Sequence, residues 1–331
     1  MMRAAILGLG WWGKTIVQRM AASDKLRVVT AVELRVEPHA EFAAANGLKL
    51  TTSYDEVLAD PEIDAIILTT PNTLHRPQVE AAARAGKHVF CEKPLALTLA
   101  DAEAMVAACA DAGVTLGLGH ERRFELAMVE LRRMVAAGEL GTIMHAEAAF
   151  SHDKLINVPP TDWRRSKKES PAAGMTAMGI HLTDAFVNLF GPAVSVYAAT
   201  AHRVLEGENG DVVSVICRHA SGPLTYLNAT LYTPLYLRFA VFGTDAWAEF
   251  RNESHPDTVG SATLTVMRTG QQPVTTEYDW TDTVRANLDL FADAAAGRGT
   301  YPFTDAEKLG NIAILEAIVK SAESGEAVTL G

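Results

Sequence analysis

The sequence is poor in cysteine: 331 residues carry three, Cys91, Cys109 and Cys217. An odd count with no two thiols at metal-ligand spacing excludes a disulfide-stapled scaffold and a cysteine-based zinc site, and points to a reducing, cytoplasmic setting. Long apolar runs are also missing. No stretch approaches the ~18 consecutive apolar residues of a membrane span. The segment after Arg3, AAILGLGWWG, has the look of a short signal-peptide core. Lys14 and Arg19 follow at once, however, and no small-residue cleavage pattern does, so a soluble chain is expected. Positive charge is in deficit, with a net charge of -11, which argues against nucleic acid or an anionic membrane as partner. The local exception, Arg164, Arg165, Lys167 and Lys168, reads as a solvated loop in preference to a phosphate-binding patch. His145, His152 and His202 are scattered without ligand spacing, so no metal is expected. There is no internal repeat and no low-complexity segment.

What is present is a chain long enough for two domains, with 48% hydrophobic residues for their cores. Its first 120 or so residues alternate short β-branched runs (RAAIL, RVVTAV, DAIILTT, HVFC, VTLGL) with helical stretches of about ten residues. Ser53 with Glu56, and Thr98 with Asp101, have helix-capping spacing, and Gly47 has the position of a C-cap. Strands alternating with helices give a parallel, doubly wound sheet. After about residue 140 the pattern changes. IMHAEAAF precedes a loop of some twenty residues and a helix from about Gly179 to Phe190. Six strand candidates then follow in a row, from VSVYAAT to ATLTVMR, and two helices close the chain, the second capped by Thr304 and Glu307. The fold class is α/β: an N-terminal Rossmann domain over residues 1–122, and a C-terminal α+β domain over 123–331 with a large, mainly antiparallel open sheet.

Gly8, Gly10 and Gly13 form G-x-G-x-x-G between a strand and a helix, the context in which glycines let backbone approach a dinucleotide pyrophosphate at a helix N-terminus. Glu33 ends the second strand, where a carboxylate holds the adenosine ribose hydroxyls and disfavours a 2′-phosphate. Arg35, two residues on, would accept that phosphate, so NAD is favoured and NADP stays open. Thr70, Pro71, Asn72 and His75 of TPNTLH, and Glu92 and Lys93 of CEKP, stand at the C-terminal ends of parallel strands, where ligands of such sheets bind.

GLGWWG, TPNTLH, CEKP, GHERRF (119–124), TDWRR (161–165), GMTAMGIHLTD (174–184) and the segment 305–326 occur in the order and spacing of the glucose–fructose oxidoreductase / inositol dehydrogenase family (Gfo/Idh/MocA), which the chain resembles nearly end to end. The resemblance implies an NAD(P)-dependent oxidoreductase that moves a hydride between nicotinamide and a secondary alcohol or its ketone. Lys93 would be the proton-transfer residue, with His181 assisting. Trp12 would pack beneath the nicotinamide and Trp11 lie toward the cleft mouth or solvent. Trp163 and Arg164 match a Trp-Arg pair near the cofactor, and Arg123 a substrate-binding arginine, with His120 and Arg122 weaker candidates. The family pattern has an Asp four residues before the histidine. Here that position is Ala177, and Asp184, on the other side of His181 in sequence, does not replace it. The departure suggests a less polar pocket there, to which Met175 and Met178 would contribute. Alternatives within the family are redox-neutral, glycosidase-like chemistry on a tightly held NAD and oxidation of dihydrodiols. An alternative of another class is a non-catalytic dinucleotide sensor. The free face of the second sheet would make a homodimer or homotetramer.

Overall fold

The computed structural model describes residues 1–159, 161–205 and 208–331. They fall into two compact units, Met1–Glu121 with Asp282–Lys308, and Arg122–Thr281 with Leu309–Gly331.

The first unit is built from β1 (Met2–Leu7), α1 (Trp11–Met20), β2 (Leu26–Val32), α2 (Ala40–Asn46), β3 (Lys49–Thr51), α3 (Tyr54–Ala59), β4 (Ala65–Leu68), α4 (His75–Arg84), β5 (His88–Cys91), α5 (Leu99–Asp111) and β6 (Leu116–Leu118). Six parallel strands lie in the order β3-β2-β1-β4-β5-β6. The order reverses between β1 and β4, which opens a crevice beyond their carboxyl ends. Central strands such as β4 (AIIL) are buried along their whole length, as expected when helices cover both faces of a sheet. The caps read from sequence form: Ser53 Oγ accepts the Glu56 N–H at 3.2 Å, and Thr98 Oγ1 accepts that of Asp101 at 3.2 Å.

The second unit begins with α6 (Leu126–Ala136), followed by β7 (Ile143–Ser151) and α7 (Ile180–Phe190). Then come β8 (Ala193–Ala201), β9 (Val212–His219), β10 (Leu224–Thr230), β11 (Tyr236–Gly243), β12 (Ala246–Asn252), β13 (Ser261–Arg268) and β14 (Val274–Asp279). Helices α8 (Thr283–Ala295) and α9 (Asp305–Ser324) and the short β15 (Val328–Thr329) end the chain. The nine-stranded sheet has the order β14-β13-β12-β11-β7-β10-β9-β8-β15 and is antiparallel except where β7 meets β10. One face packs on α6 and α7, with Phe186 of α7 against Phe239 of β11 at 5.2 Å between centroids. The other face carries the cross-strand row Tyr197, Ile216, Tyr226, all exposed.

A single cut at 122/123 does not divide the chain as the structure does, because α8 belongs to the first unit. Asn287 Nδ2 donates to the Leu118 carbonyl at 2.9 Å, Tyr301 Oη accepts the Leu118 N–H at 3.0 Å, and Phe291 packs edge-on against Phe90. These buried groups cap the β6 edge of the parallel sheet, so the Rossmann unit is completed only by residues far away in sequence.

Candidate active site

The glycine loop has the shape the cofactor needs. A Cβ on Gly13 would stand 2.0 Å from the Gly8 carbonyl oxygen, so α1 can start this close to β1 only with glycine there. Gly10, the residue before α1, has nothing within 4 Å of the position a Cβ would take, which leaves the helix N-terminus open to a phosphate. Glu33 closes the other side: its Oε1 accepts the Leu9 N–H of the loop, and the His39 imidazole stands 3.7 Å away. Arg35 is exposed. The residues therefore fit a dinucleotide.

Trp11 is 62% exposed, whereas Trp12 turns inward, their rings 5.2 Å apart. The buried Trp12 indole N–H makes no hydrogen bond of ordinary geometry and lies toward the Glu92 carboxylate. Glu92 is itself buried. Burial pushes its carboxyl up to about 7, against the opposing pull of the Trp12 N–H and the neighbouring Lys93 charge. A Cβ at position 119 would meet that carboxyl at 2.5 Å, so Gly119 makes room for it. The Lys93 N–H donates to Glu92 Oε2 at 3.2 Å. GLGWWG and CEKP, eighty residues apart, thus meet at one place beyond β1 and β5.

His75 has a different surrounding from the one its motif suggested. It is buried, with Nδ1 3.0 Å from the Pro94 carbonyl and Nε2 3.1 Å from that of Thr70. This ring ties the loop after β4 to the loop holding Lys93, and its nitrogens face protein backbone rather than a cofactor. The Thr70 hydroxyl donates to Gln78 at 2.6 Å, Pro71 precedes a short 3₁₀ turn, and Asn72 in that turn is buried. His120 is buried as well.

In the second unit, His181 lies at the start of α7, directly after one turn of π-helix over Met175–Gly179. Such turns are frequent at functional sites. Ala172 and Ala173 just before it have φ of 56° and 53°, a left-handed conformation uncommon for residues with a Cβ. His181 is mostly buried and packs 6.4 Å from the Phe150 ring. Met175 and Met178 are fully buried in the core, which removes them as pocket lining.

Arg123 is the clearest departure from expectation. Its Nε and Nη2 donate to the two carboxylate oxygens of Asp184, both at 2.7 Å, with side chains 4% and 3% exposed. This buried two-pronged pair joins the start of the second unit to α7, and a substrate carboxylate would have to displace Asp184 to use it. Trp163 and Arg164 form a 3₁₀ turn, with the guanidinium 4.2 Å over the indole and 3.2 Å from Asp162. In the adjoining basic stretch, Arg165 donates to the Leu155 and Ile156 carbonyls, and Lys167 pairs with Glu323. The stretch knits the loop rather than presenting a phosphate patch.

A parallel sheet ordered 3-2-1-4-5-6, a glycine loop at its first turn and an acid at the end of β2 define a dinucleotide-dependent oxidoreductase fold. Comparison with known proteins sharpens this. Residues 2–120 match the oxidoreductase family with the NAD-binding Rossmann fold, and residues 128–249 match the GFO/IDH/MocA C-terminal domain. The chain belongs to the Gfo/Idh/MocA family and is an NAD(P)-dependent dehydrogenase acting on CH–OH groups. It is 33% identical to a 1,5-anhydro-D-fructose reductase of Ensifer adhaerens over 92% of this chain and 91% of that one. It is 30% identical to an NADP-dependent D-xylose 1-dehydrogenase of Haloferax volcanii over 99% of this chain and all of that one. The solved aldose–aldose oxidoreductase of Caulobacter crescentus, complexed with glycerol, superposes with a TM-score of 0.89 at 27% identity, covering 99% of each chain. No helix among the described residues is long and apolar enough to cross a membrane.

Proposed function

We propose that this chain interconverts a secondary alcohol and its ketone, or a hemiacetal and its lactone, on a neutral, sugar-like substrate. The observation that carries the reading is the meeting of Trp12 with Glu92–Lys93, which brings the glycine loop and the one lysine of CEKP together. The relatives named for 1,5-anhydro-D-fructose and D-xylose support the substrate class. Gly8, Gly10, Gly13 and Glu33 hold the dinucleotide, with Trp11, Trp12, Thr70, Pro71, Asn72 and Glu92 around it; Trp163 and Arg164 are carried over as cofactor-binding from the family pattern alone. When bound, the nicotinamide accepts or supplies the hydride. Lys93 Nζ takes the hydroxyl proton as the carbinol C–H leaves with its electron pair, or returns it to the carbonyl oxygen in the reverse direction. His181, in the second unit, is carried over from the family pattern as the assisting residue. Arg123 acts at one remove, by fixing α7 through Asp184. Lys93 speaks against a non-catalytic sensor.

Assembly follows from the outer sheet face. Tyr197, Ile216 and Tyr226, exposed in one row, are covered in a homodimer or homotetramer. Three buried, unpaired thiols suit a reducing cytoplasm.

The test is a panel of neutral sugars, their anhydro and lactone derivatives, and cyclic dihydrodiols, assayed by nicotinamide absorbance with NAD and NADP separately. Turnover of a sugar is the expected result. Turnover of a dihydrodiol alone, or tightly held cofactor with no net change in its oxidation state, would replace this reading.

A further inference from the structure

Glu92 is a buried carboxyl that the proton transfer assigned to Lys93 does not use. It directly follows β5, and three parts of the first unit enclose it. From the start of α1, the Trp12 indole N–H lies toward its carboxylate. From its own strand end, the Lys93 main-chain N–H donates to Oε2 at 3.2 Å. Just beyond β6, a Cβ at position 119 would stand 2.5 Å from Cδ and from both oxygens, so Gly119 leaves the space that the carboxyl fills.

The surroundings balance the two states of one proton. An ionised carboxylate draws neighbouring N–H groups into short, charge-assisted bonds. The buried Trp12 N–H stands ready for such a bond but does not close one of ordinary geometry, the arrangement suited to a neutral carboxyl. The Lys93 charge favours the carboxylate, and burial, which outweighs it, favours the acid. Trp12 and Gly119 bring no charge, and burial keeps the Cys91 thiol neutral. His120, which follows Gly119, is buried and titratable. One further unit charge nearby is then enough to decide the proton on Glu92, since an opposite charge within about 4–6 Å lowers a carboxyl by about 1–3 pH units. Nicotinamide offers such a charge: the oxidised ring carries one positive charge and the reduced ring none.

We propose that Glu92 binds and releases a proton in step with the oxidation state of the cofactor, ionised and bonded by the Trp12 N–H beside the oxidised ring, protonated beside the reduced one. The step balances. In alcohol oxidation the carbinol C–H leaves with its electron pair for the ring, which loses its positive charge. The hydroxyl gives up its proton to the protein, and Glu92 gains one proton and loses its negative charge. The site therefore keeps the same net charge before and after the transfer. The proposal rests on the placement of Trp12 and Glu92 around the dinucleotide argued above, and it is independent of which sugar is the substrate.

Calorimetric titration with NAD and with NADH, repeated in buffers of different ionisation enthalpy, counts the protons released on binding. With the free carboxyl at about 7, NAD should release about half a proton at pH 7, and NADH none. By linkage, NAD affinity should rise about 5- to 10-fold from pH 6 to pH 8, the sign expected when the ionised form binds the cationic ring better, and NADH affinity should not rise. Glu92→Gln should abolish both differences. A second measurement needs no variant: infrared spectra of the wild-type enzyme loaded with NADH, less those with NAD, should show the carbonyl band of a protonated carboxyl, which moves when glutamate is ¹³C-labelled. Equal proton counts for NAD and NADH, or the absence of that band, overturn the proposal while leaving the substrate class to stand on turnover of the sugars. A difference that survives in Glu92→Gln overturns it as well and moves the proton to another group, His120 first. A difference that Glu92→Gln abolishes sustains the proposal even where no sugar is turned over, the result that would overturn the substrate class instead.

Discussion

Replacing Glu92 by glutamine isolates the cost of a buried carboxylate beside the proposed proton-transfer lysine. Burial raises the folded-state pKa of Glu92 from an ordinary 4.5 to about 7, so the folded chain holds this proton more tightly than the unfolded chain does. The stabilisation is full below pH 4.5 and is lost as pH rises through 7. At about 1.4 kcal/mol for each pH unit between the two values, the loss is about 3 kcal/mol. Glutamine keeps the shape and an oxygen for the Lys93 N–H but cannot ionise. Urea unfolding followed from pH 5 to pH 8.5 should therefore show the variant close to wild type at the acid end and more stable by up to about 3 kcal/mol at the alkaline end. A stability difference that does not vary with pH would refute the reasoning, since it would mean that Glu92 does not titrate in this window. A wild type that gains on the variant as pH rises would refute the sign.

Lys93→Met should retain cofactor binding, measured by fluorescence titration, while turnover falls by about 10²- to 10⁴-fold, the usual contribution of a positioned acid–base group; a smaller loss would remove Lys93 from the chemistry. Glu33→Ala takes away the carboxylate that accepts the Leu9 N–H and that is proposed to hold the ribose, so the ratio of NAD to NADP affinity should narrow; a wild type that already prefers NADP would instead give the decision to Arg35. Asp184→Asn leaves the Arg123 guanidinium buried without its countercharge and should cost about 3–5 kcal/mol in chemical denaturation. A loss under about 1 kcal/mol would mean that Arg123 has room to turn toward another partner.

Much of the fold was legible because its signals are local. Buried parallel strands read as apolar runs, and capping residues mark helix starts within four positions. The full reciprocal cap at α9 is an example: Glu307 N donates to Thr304 Oγ1, and Thr304 N to Glu307 Oε2. The misses are elements with little pattern of their own. β3 has three residues, β15 two, and β14 (VTTEYD) is almost wholly exposed, so none shows an apolar stripe or alternation. The allegiance of α8 to the first unit was not legible at all. Its buried face of Val284, Leu288 and Phe291 would suit either core, and only the bonds of Asn287 and Tyr301 to Leu118 decide.

The site divides along the same line. Glycine spacing, an acid at a strand end and CEKP are short motifs whose chemistry depends on neighbours in sequence, so the dinucleotide half could be read directly. The second unit could not, because its polar groups take their partners across the fold. Arg123 reads as a ligand for substrate until Asp184, sixty-one residues away, is seen to occupy both prongs of its fork. His181 reads as the family's histidine with Ala in place of Asp at position 177, and in the fold it shares the Phe150 ring with His255, which Asp257 partners in a strand connection more than seventy residues downstream. Sequence showed which side chain was missing at position 177. It could not show how the imidazole at 181 is packed, because the Phe150 ring that stands 6.4 Å from it arrives on β7, a strand separated from α7 by a long connection.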